Sequence, residues 1–517
     1  MVPRAVTDDA ILRPLPDDAI LRPVSGDAIT VIPPRHLFRT IVPPIVLPVF
    51  LAAADGTVVA TALPAIAASF GEVERLSWLV IANLIASTVA APAYGRLADL
   101  FGRRLIMVVA LAIFMAASVL CAFAPTFNAL LAARVLQGLG GGGLMTLAQA
   151  LVGEFVPPRE RGSYQGYLSA NIVAGAAFGP VAAGFLTEHC GWHSVFLAYL
   201  PLGCIAIALV LRVPKSEEPR GRGGGFDAAG LVLLTTFVLP LLLAVSQFQR
   251  LDPGMLPRVG AWLALAALGL AALLWQQRRT SVPIMALPLL RLPAFWRADV
   301  MAVCSGAALT AMITFLPLYL QAVMGATPGQ SGLLLIPLTV SVSSGSVLTG
   351  WLISRTGRTA VFPMVGLSIT ALTMAFLAYA AAGMSRVELS WFLALGGLCQ
   401  GAAMLTAQIT VQKVAGARHL GAAAASAQLA RSLGSAFGAA AAGAVLFGLL
   451  SAWDPDTATL FFAMVRHGSG VLLSLPADQQ ALARSEIASA FSGVFLLVAG
   501  ISCVSVAMSA TLPVRRL

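Results

Sequence analysis

Apolar stretches of bilayer length follow one another along this chain, separated by mostly short polar joints. A helix needs about 20 mainly apolar residues to cross a hydrocarbon core of ~30 Å. Runs of that order lie near 42–68, 77–96, 104–124, 128–152, 164–187, 194–212, 229–248 and 259–276. A second set lies near 298–323, 331–354, 360–382, 388–412, 427–450 and 490–512. The pattern predicts an all-α integral membrane protein with fourteen transmembrane helices. Three joints are longer. Residues 213–228 are charged and Gly-rich. Residues 277–297 contain RRTSVP and LLRLPAFWR and are expected to hold an interfacial helix. Residues 451–489 are polar with some amphipathic character and are expected as an external loop.

Residues 1–40 are different in kind. Three tandem nonapeptides, DDAILRPLP (Asp8–Pro16), DDAILRPVS (Asp17–Ser25) and GDAITVIPP (Gly26–Pro34), are too rich in Pro and Asp to build a core, so a disordered cytoplasmic tail is expected. The first apolar run is too long for a signal-peptide core, and no cleavable signal is expected.

Composition sharpens this picture. The chain is 58% hydrophobic and 10% charged, where a soluble domain carries about 25% charge. Its net charge of +10 is almost entirely arginine. With both termini on one side, 25 of the 32 Lys and Arg fall in the tails and joints of that side, including three in 413–431. Six fall on the other (Arg75, Arg250, Arg258, Arg386, Arg466, Arg484), and Arg134 lies within a span. Cytoplasmic loops carry such an excess, so both termini are expected in the cytoplasm and no nucleic-acid partner is needed to explain the charge. The six cysteines are scattered without a CxxC pair, and the five histidines are dispersed without HExxH. No metal site is expected. Neither Lys215 nor Lys413 sits in a P-loop and there is no GxSxG, so neither direct ATP use nor an enzyme is expected.

An internal repeat organises the spans. Gly95-Arg-Leu-Ala-Asp99-Leu-Phe-Gly102-Arg103 follows span 2, and Gly350-Trp-Leu-Ile-Ser354-Arg-Thr-Gly357-Arg358 follows span 10, at a constant offset of 255 residues. Gln137-Gly138 in span 4 is echoed by Gln400-Gly401 in span 12. The expected architecture is a six-helix bundle at 41–212, a linker at 213–297 with two inserted spans, a second bundle at 298–512 and a short cytoplasmic end at 513–517. Parallel halves of this kind place a substrate site near mid-membrane between them.

Few residues can carry a mechanism. Asp55 stands near the centre of span 1, in ADGTVVATALP, and reads as the only acid deep in a span; Glu154, Glu188, Asp299 and Glu388 read as edge residues. A charge at the bilayer centre costs roughly 2.5–3.5 kcal/mol or more, so such residues default to functional hypotheses. Arg134 in span 4 is a permanent cation and the partner Asp55 would face. Gly138 and Gly142 suit close helix contact. Asp99, beside Arg96, Arg103 and Arg104, can form an ion pair that breaks and reforms. In span 5, Gly175, Gly179 and Gly184 line one helix stretch that Pro180 bends.

These stretches resemble the major facilitator superfamily, and within it the fourteen-span drug:proton antiporters. Gly95–Arg104 matches the hallmark loop except at Leu100. Arg134, Gln137 and Gly138 match the span-4 motif, whose arginine is implicated in proton transfer. Gly175-x-x-x-Gly179-Pro180-x-x-Ala183-Gly184 matches the antiporter motif except at Ala183. Asp55, Thr57, Ala62, Leu63 and Pro64 match the first-span motif, where Ala60 replaces Asn; relatives often carry Tyr at the position of Asn83. Phe226–Gly230 and Arg431-Ser-Leu-Gly434-x-x-x-Gly438 extend the resemblance. It implies a multi-pass transporter of the bacterial plasma membrane. Such a transporter would export hydrophobic or cationic organic compounds against protons, with the proton-motive force in place of a cofactor and Asp55 and Arg134 as the coupling pair. Gly95, Asp99, Gly102, Arg103 and Arg104, and in the second half Gly350, Gly357 and Arg358, would form the cytoplasmic gate. Relatives in double-membraned bacteria work with a periplasmic adaptor, and no residue here requires one. The alternative is a dedicated exporter or facilitator of one metabolite on the same fold.

Overall fold

The computed structural model describes residues 34–71, 75–157, 160–214, 225–248, 256–280, 287–326, 328–416, 419–467 and 476–512. Residues 1–33 of the tail, most of the 213–228 joint and the 513–517 end lie outside them, whereas residues 34–40, expected as disordered tail, form the start of α1. The first half is built from α1 (Pro34–Phe70), α2 (Ser77–Phe101), α3 (Arg103–Ala122), α4 (Phe127–Phe155), α5 (Arg161–Cys190), α6 (His193–Leu197) and α7 (Tyr199–Val210). An inserted pair, α8 (Ala228–Phe248) and α9 (Leu256–Arg279), precedes the four-residue α10 (Leu287–Leu290). The second half comprises α11 (Pro293–Ala322), α12 (Pro328–Thr356), α13 (Val361–Ala380), α14 (Arg386–Ala415), α15 (Leu420–Trp453), α16 (Pro455–His467) and α17 (Ala477–Ala510). Among the described residues thirteen spans are long and apolar enough to cross a membrane, with α6 and α7 counted as one broken span; α5, 30 residues long but less apolar, is roughly consistent with a fourteenth.

Each half has its own apolar core. One cluster runs from Ile41 to Val213 over α1–α7, and another from Ala308 to Ala499 over α11–α17. The halves meet chiefly at two crossings, α2 on α15 and α5 on α12, with further contact of α4 on α15 and α5 on α14. The α8–α9 hairpin lies against the first of these: Leu234, Val238 and Leu242 of α8 pack on Ile85 and Val89 of α2 and on Leu429 of α15. Its start is held by Asp227. That carboxylate accepts from the Gly230 amide at 2.8 Å, capping α8, and from the Gln276 and Gln277 side-chain amides of α9 at 2.8 and 2.7 Å. The FDAAG stretch is therefore a helix cap and a clamp between the inserted helices.

Three expectations about the joints change. The PAFWR residues form the first turn of α11, because Pro293 sits at the helix start after an extended Leu292. Among the described residues of the 277–297 joint, the end of α9 (to Arg279) and Leu287–Leu290 are helical before it. Within 451–489, α16 forms an extra helix whose Ala458, Phe461 and Met464 are buried in the second core, and the last span begins at Ala477, well before residue 490. Arg431, counted above among the charges of the 413–431 joint, lies inside α15, eleven residues from its start and so roughly 16 Å into the bundle.

Three Arg–Trp stacks, Arg279 on Trp275, Arg297 on Trp296 and Arg355 on Trp351, sit at the face that carries the Gly95–Arg104 loop. Aromatic and cationic side chains favour the membrane–water boundary. That face is called the loop face below.

Candidate functional site

Asp55 and Arg134 meet inside the first half. Nη1 of Arg134 donates to both carboxylate oxygens of Asp55, at 2.8 and 3.0 Å, and the side chains are only 1–4% exposed. The same nitrogen reaches Gln137 Oε1 at 2.6 Å, and Nε reaches the Leu79 carbonyl at 3.3 Å. Asn83 donates to Asp55 at 3.2 Å, and Gln137 donates to Ser118 Oγ at 2.9 Å. Five residues on α1, α2, α3 and α4 thus form one network. Its convergence depends on Gly138 and Gly142. A β-carbon on Gly138 would lie 2.5 Å from the Asn83 carbonyl, and one on Gly142 would collide with Ser87, so any larger residue would push α2 and its polar groups away. Nη2 of Arg134 and the Tyr199 hydroxyl of α7 are buried beside the pair and complete no hydrogen bond. The pair is interior to one half, and neither residue lines the space between the halves.

The span-5 motif grips the helix that carries Asp55. A β-carbon on Gly175 would sit 3.0 Å from the Phe50 carbonyl and the Ala53 β-carbon; one on Gly179 would sit 2.6 Å from Thr57 Oγ1. Gly184 has no such neighbour. Gly179→Val should therefore cut transport more than tenfold by separating α1 from α5, and Gly184→Ala should leave it within about twofold. A transport assay on both variants, normalised to membrane-inserted protein, checks this contrast; equal effects would refute the assigned contact.

At the loop face the two repeated segments close against the opposite halves. A β-carbon on Gly95 would lie 2.6 Å from the Gly421 carbonyl at the start of α15, and one on Gly162 at the start of α5 would lie 2.6 Å from the Gly350 carbonyl. Gly102 and Gly357, equivalent by the same offset of 255, both adopt positive φ (91° and 68°), the region where side chains are strained. Among the described residues, a carboxylate is hydrogen-bonded across the α2–α15 crossing. Asp99 accepts from the Gly421 and Ala422 amides at 3.2 and 3.4 Å and pairs with Arg103 at 3.0 Å, so it caps α15 across the seam. Arg103 also pairs with Glu154 at 2.6 Å. In the second half Ser354 bonds locally to the Trp351 carbonyl and Arg358 is exposed. Arg104 donates to the Leu211 carbonyl within its own half.

Between the halves lies a small cavity walled by α4, α5, α11, α14 and α15. Arg431, Gln149, Gln165, Ser305, Gln408 and Gln428 give it a polar lining, and Leu168, Ile172, Met404 and Leu405 an apolar one. Polar amides within apolar spans 4, 5 and 12 are the sequence signal for it, less conspicuous than the charges. Two acids read as edge residues are buried: Glu154 in the gate pair, and Asp299, 9% exposed, which accepts from Ser426 Oγ at 2.7 Å. Asp55 is therefore not the only acid inside the protein. The echo of Gln137 at Gln400 preserves packing without the charge. Gly401 packs on Val342 and Ser346 of α12 as Gly138 packs on α2, but the position three before Gln400 is Gly397. There the second half has a small, mainly apolar pocket.

Comparison with known proteins agrees with this architecture. The sequence profile described as Major Facilitator Superfamily matches residues 45–439. The chain is 30% identical over 404 residues to the multidrug transporter protein MdtP of Bacillus subtilis, covering 78% of this chain and 74% of that one. It is also 30% identical over 402 residues to the uncharacterized MFS-type transporter Rv1877 of Mycobacterium tuberculosis, of which it spans 58%. The fold superposes on the proton:xylose symporter XylE with a TM-score of 0.61 at 15% identity, covering 93% of this chain and 98% of that one. The chain is a multi-pass membrane transporter, not an enzyme, and it belongs to the Major Facilitator Superfamily.

Proposed function

We propose that this transporter exports small organic compounds in exchange for protons across a bacterial plasma membrane, with both termini and the loop face in the cytoplasm. The observation that carries this reading is the buried Asp55–Arg134 pair. A proton on Asp55 removes the charge that Arg134 is paired with and leaves a cation in an apolar bundle, so protonation must be answered by movement of α1 against α4. α1 is seated on Gly175 and Gly179 of α5, and the loop-face end of α5 forms one of the two crossings with the second half. A local proton event thereby acquires a mechanical route to the seam. The closed loop face corresponds to the stage at which protons enter from outside.

One proton crossing 100 mV supplies about 2.3 kcal/mol, equivalent to roughly a fifty-fold gradient of an uncharged substrate at one-to-one exchange. The name of the Bacillus relative supports organic compounds as cargo. The polar lining of the cavity favours the narrower alternative, one metabolite or a small chemical set, over indiscriminate extrusion. A substrate panel in inverted vesicles, with and without an imposed pH gradient, tests the proposal. Gradient-dependent accumulation is expected, and collapse of the gradient should abolish it. Accumulation indifferent to the gradient would remove the proton from the mechanism, and competition by many unrelated compounds would exclude the narrow alternative.

A further inference from the structure

We propose that the cavity between the halves binds the carboxylate of an amphipathic organic acid on Arg431. This deepens the export reading and rests on it. A guanidinium at this depth requires compensation, and among the described residues Arg431 forms no ion pair. Its partners are the Gln428 amide oxygen and the thioether sulfurs of Met145 and Met404, at 3.8 and 3.9 Å. Those methionines come from opposite halves, so the cation sits on the surface along which the halves move.

The surrounding groups are short of acceptors. Gln165 Nε2, Gln408 Nε2 and Ser305 Oγ line the same cavity, belong to residues at least 91% buried, and make no hydrogen bond. Among the described residues Gln149 Oε1 is the one unpaired amide oxygen in that lining. A buried polar group without a partner costs about 1–3 kcal/mol, and here three donors and a cation converge from four helices. A carboxylate satisfies such a set with up to four lone-pair sites, whereas an ammonium adds donors to donors. The buried acid Asp299 bonds Ser426 and does not line the cavity. Leu168, Ile172 and Leu405 provide the wall for an apolar body. Asp55 is already occupied by Arg134 and lies outside this cavity.

Equilibrium binding to the full-length protein in nanodiscs, without any gradient, tests the assignment. The probes are an anthracene carboxylate, its methyl ester and the matching anthracenylmethyl ammonium, followed by fluorescence. The carboxylate should bind about tenfold or more tighter than the ester, as expected for charge-assisted hydrogen bonds, and the ammonium weakest. Arg431→Gln should abolish the preference for acid over ester while changing ester affinity less than about twofold, and Arg431→Lys should retain part of it. The proposal is overturned if the ammonium binds best, if Arg431→Gln weakens acid and ester equally, or if no carboxylate binding appears up to its solubility limit. Because no gradient is present, a retained acid preference alongside failed proton-driven transport would sink only the coupling mechanism.

Discussion

Asp55→Asn is expected to abolish gradient-driven accumulation in inverted vesicles while leaving the protein folded and inserted. The amide keeps the shape of the side chain and still offers Arg134 an oxygen, but it cannot take up or release a proton. Asp55→Ala should behave differently. It leaves Arg134 buried among apolar side chains with Gln137 and a backbone carbonyl as its remaining partners. Removing one member of a buried pair costs about 3–5 kcal/mol, so loss of thermal stability should accompany loss of transport. The double variant Asp55→Asn/Arg134→Gln removes both charges and should recover most of that stability without recovering transport. Thermal unfolding of purified protein, read beside vesicle transport for all three, separates the structural from the coupling role. Proton-linked transport at the wild-type rate in Asp55→Asn would eliminate Asp55 as the proton carrier.

Closure of the loop face carries the second large effect. Gly95→Val should reduce transport more than tenfold and shift the protein toward a state open at that face. The valine β-carbon would lie 2.6 Å from the Gly421 carbonyl and 2.9 Å from the Ala425 β-carbon, so the closed arrangement is penalised and the separated one is not. The repeat makes a further demand: Gly350→Val, at the equivalent crossing against Gly162, should act in the same direction. Asp99→Asn should have a smaller effect, since it weakens the cap on α15 without adding bulk. A single cysteine at Ser169, whose carbonyl accepts from Ser343 across the seam, reports the state by its maleimide labelling rate in a background lacking the native cysteines. Labelling should rise about tenfold in both glycine variants, a shift equivalent to roughly 1.4 kcal/mol. Unchanged labelling together with near-normal transport would show that these contacts do not hold the gate.

The two crossings are built alike and equipped differently. Both use glycine against glycine, but only the α2–α15 crossing has the Asp99 cap and the covering α8–α9 hairpin. The second half likewise lacks a charge at the site equivalent to Arg134, where Gly397 stands beside an apolar pocket. Duplication preserved the packing code, which depends on small residues at fixed positions, and left the charged chemistry to the first half.

The chain alone determined the class, the number of spans and the repeat. These depend on local quantities: length and apolarity of each run, glycine at an offset of 255, and charge per joint. It also singled out Asp55 and Arg134, because a charge in an apolar run is conspicuous wherever it points. The facing of each helix was decided only in three dimensions. Arg431 was counted with a loop because its run begins with small residues and amides, yet α15 starts eleven residues earlier and carries it to mid-depth. Asp299 looked peripheral because it is near the start of a span, yet packing against Ser426 buries it. The cavity was not legible because its walls come from five helices remote in sequence, four contributing one glutamine each and α11 a serine, which read locally as ordinary polar substitutions. Which donors are left without partners follows from where the backbones meet, and glycine-mediated contacts between α2 and α4, α1 and α5, and the two halves set those meeting points.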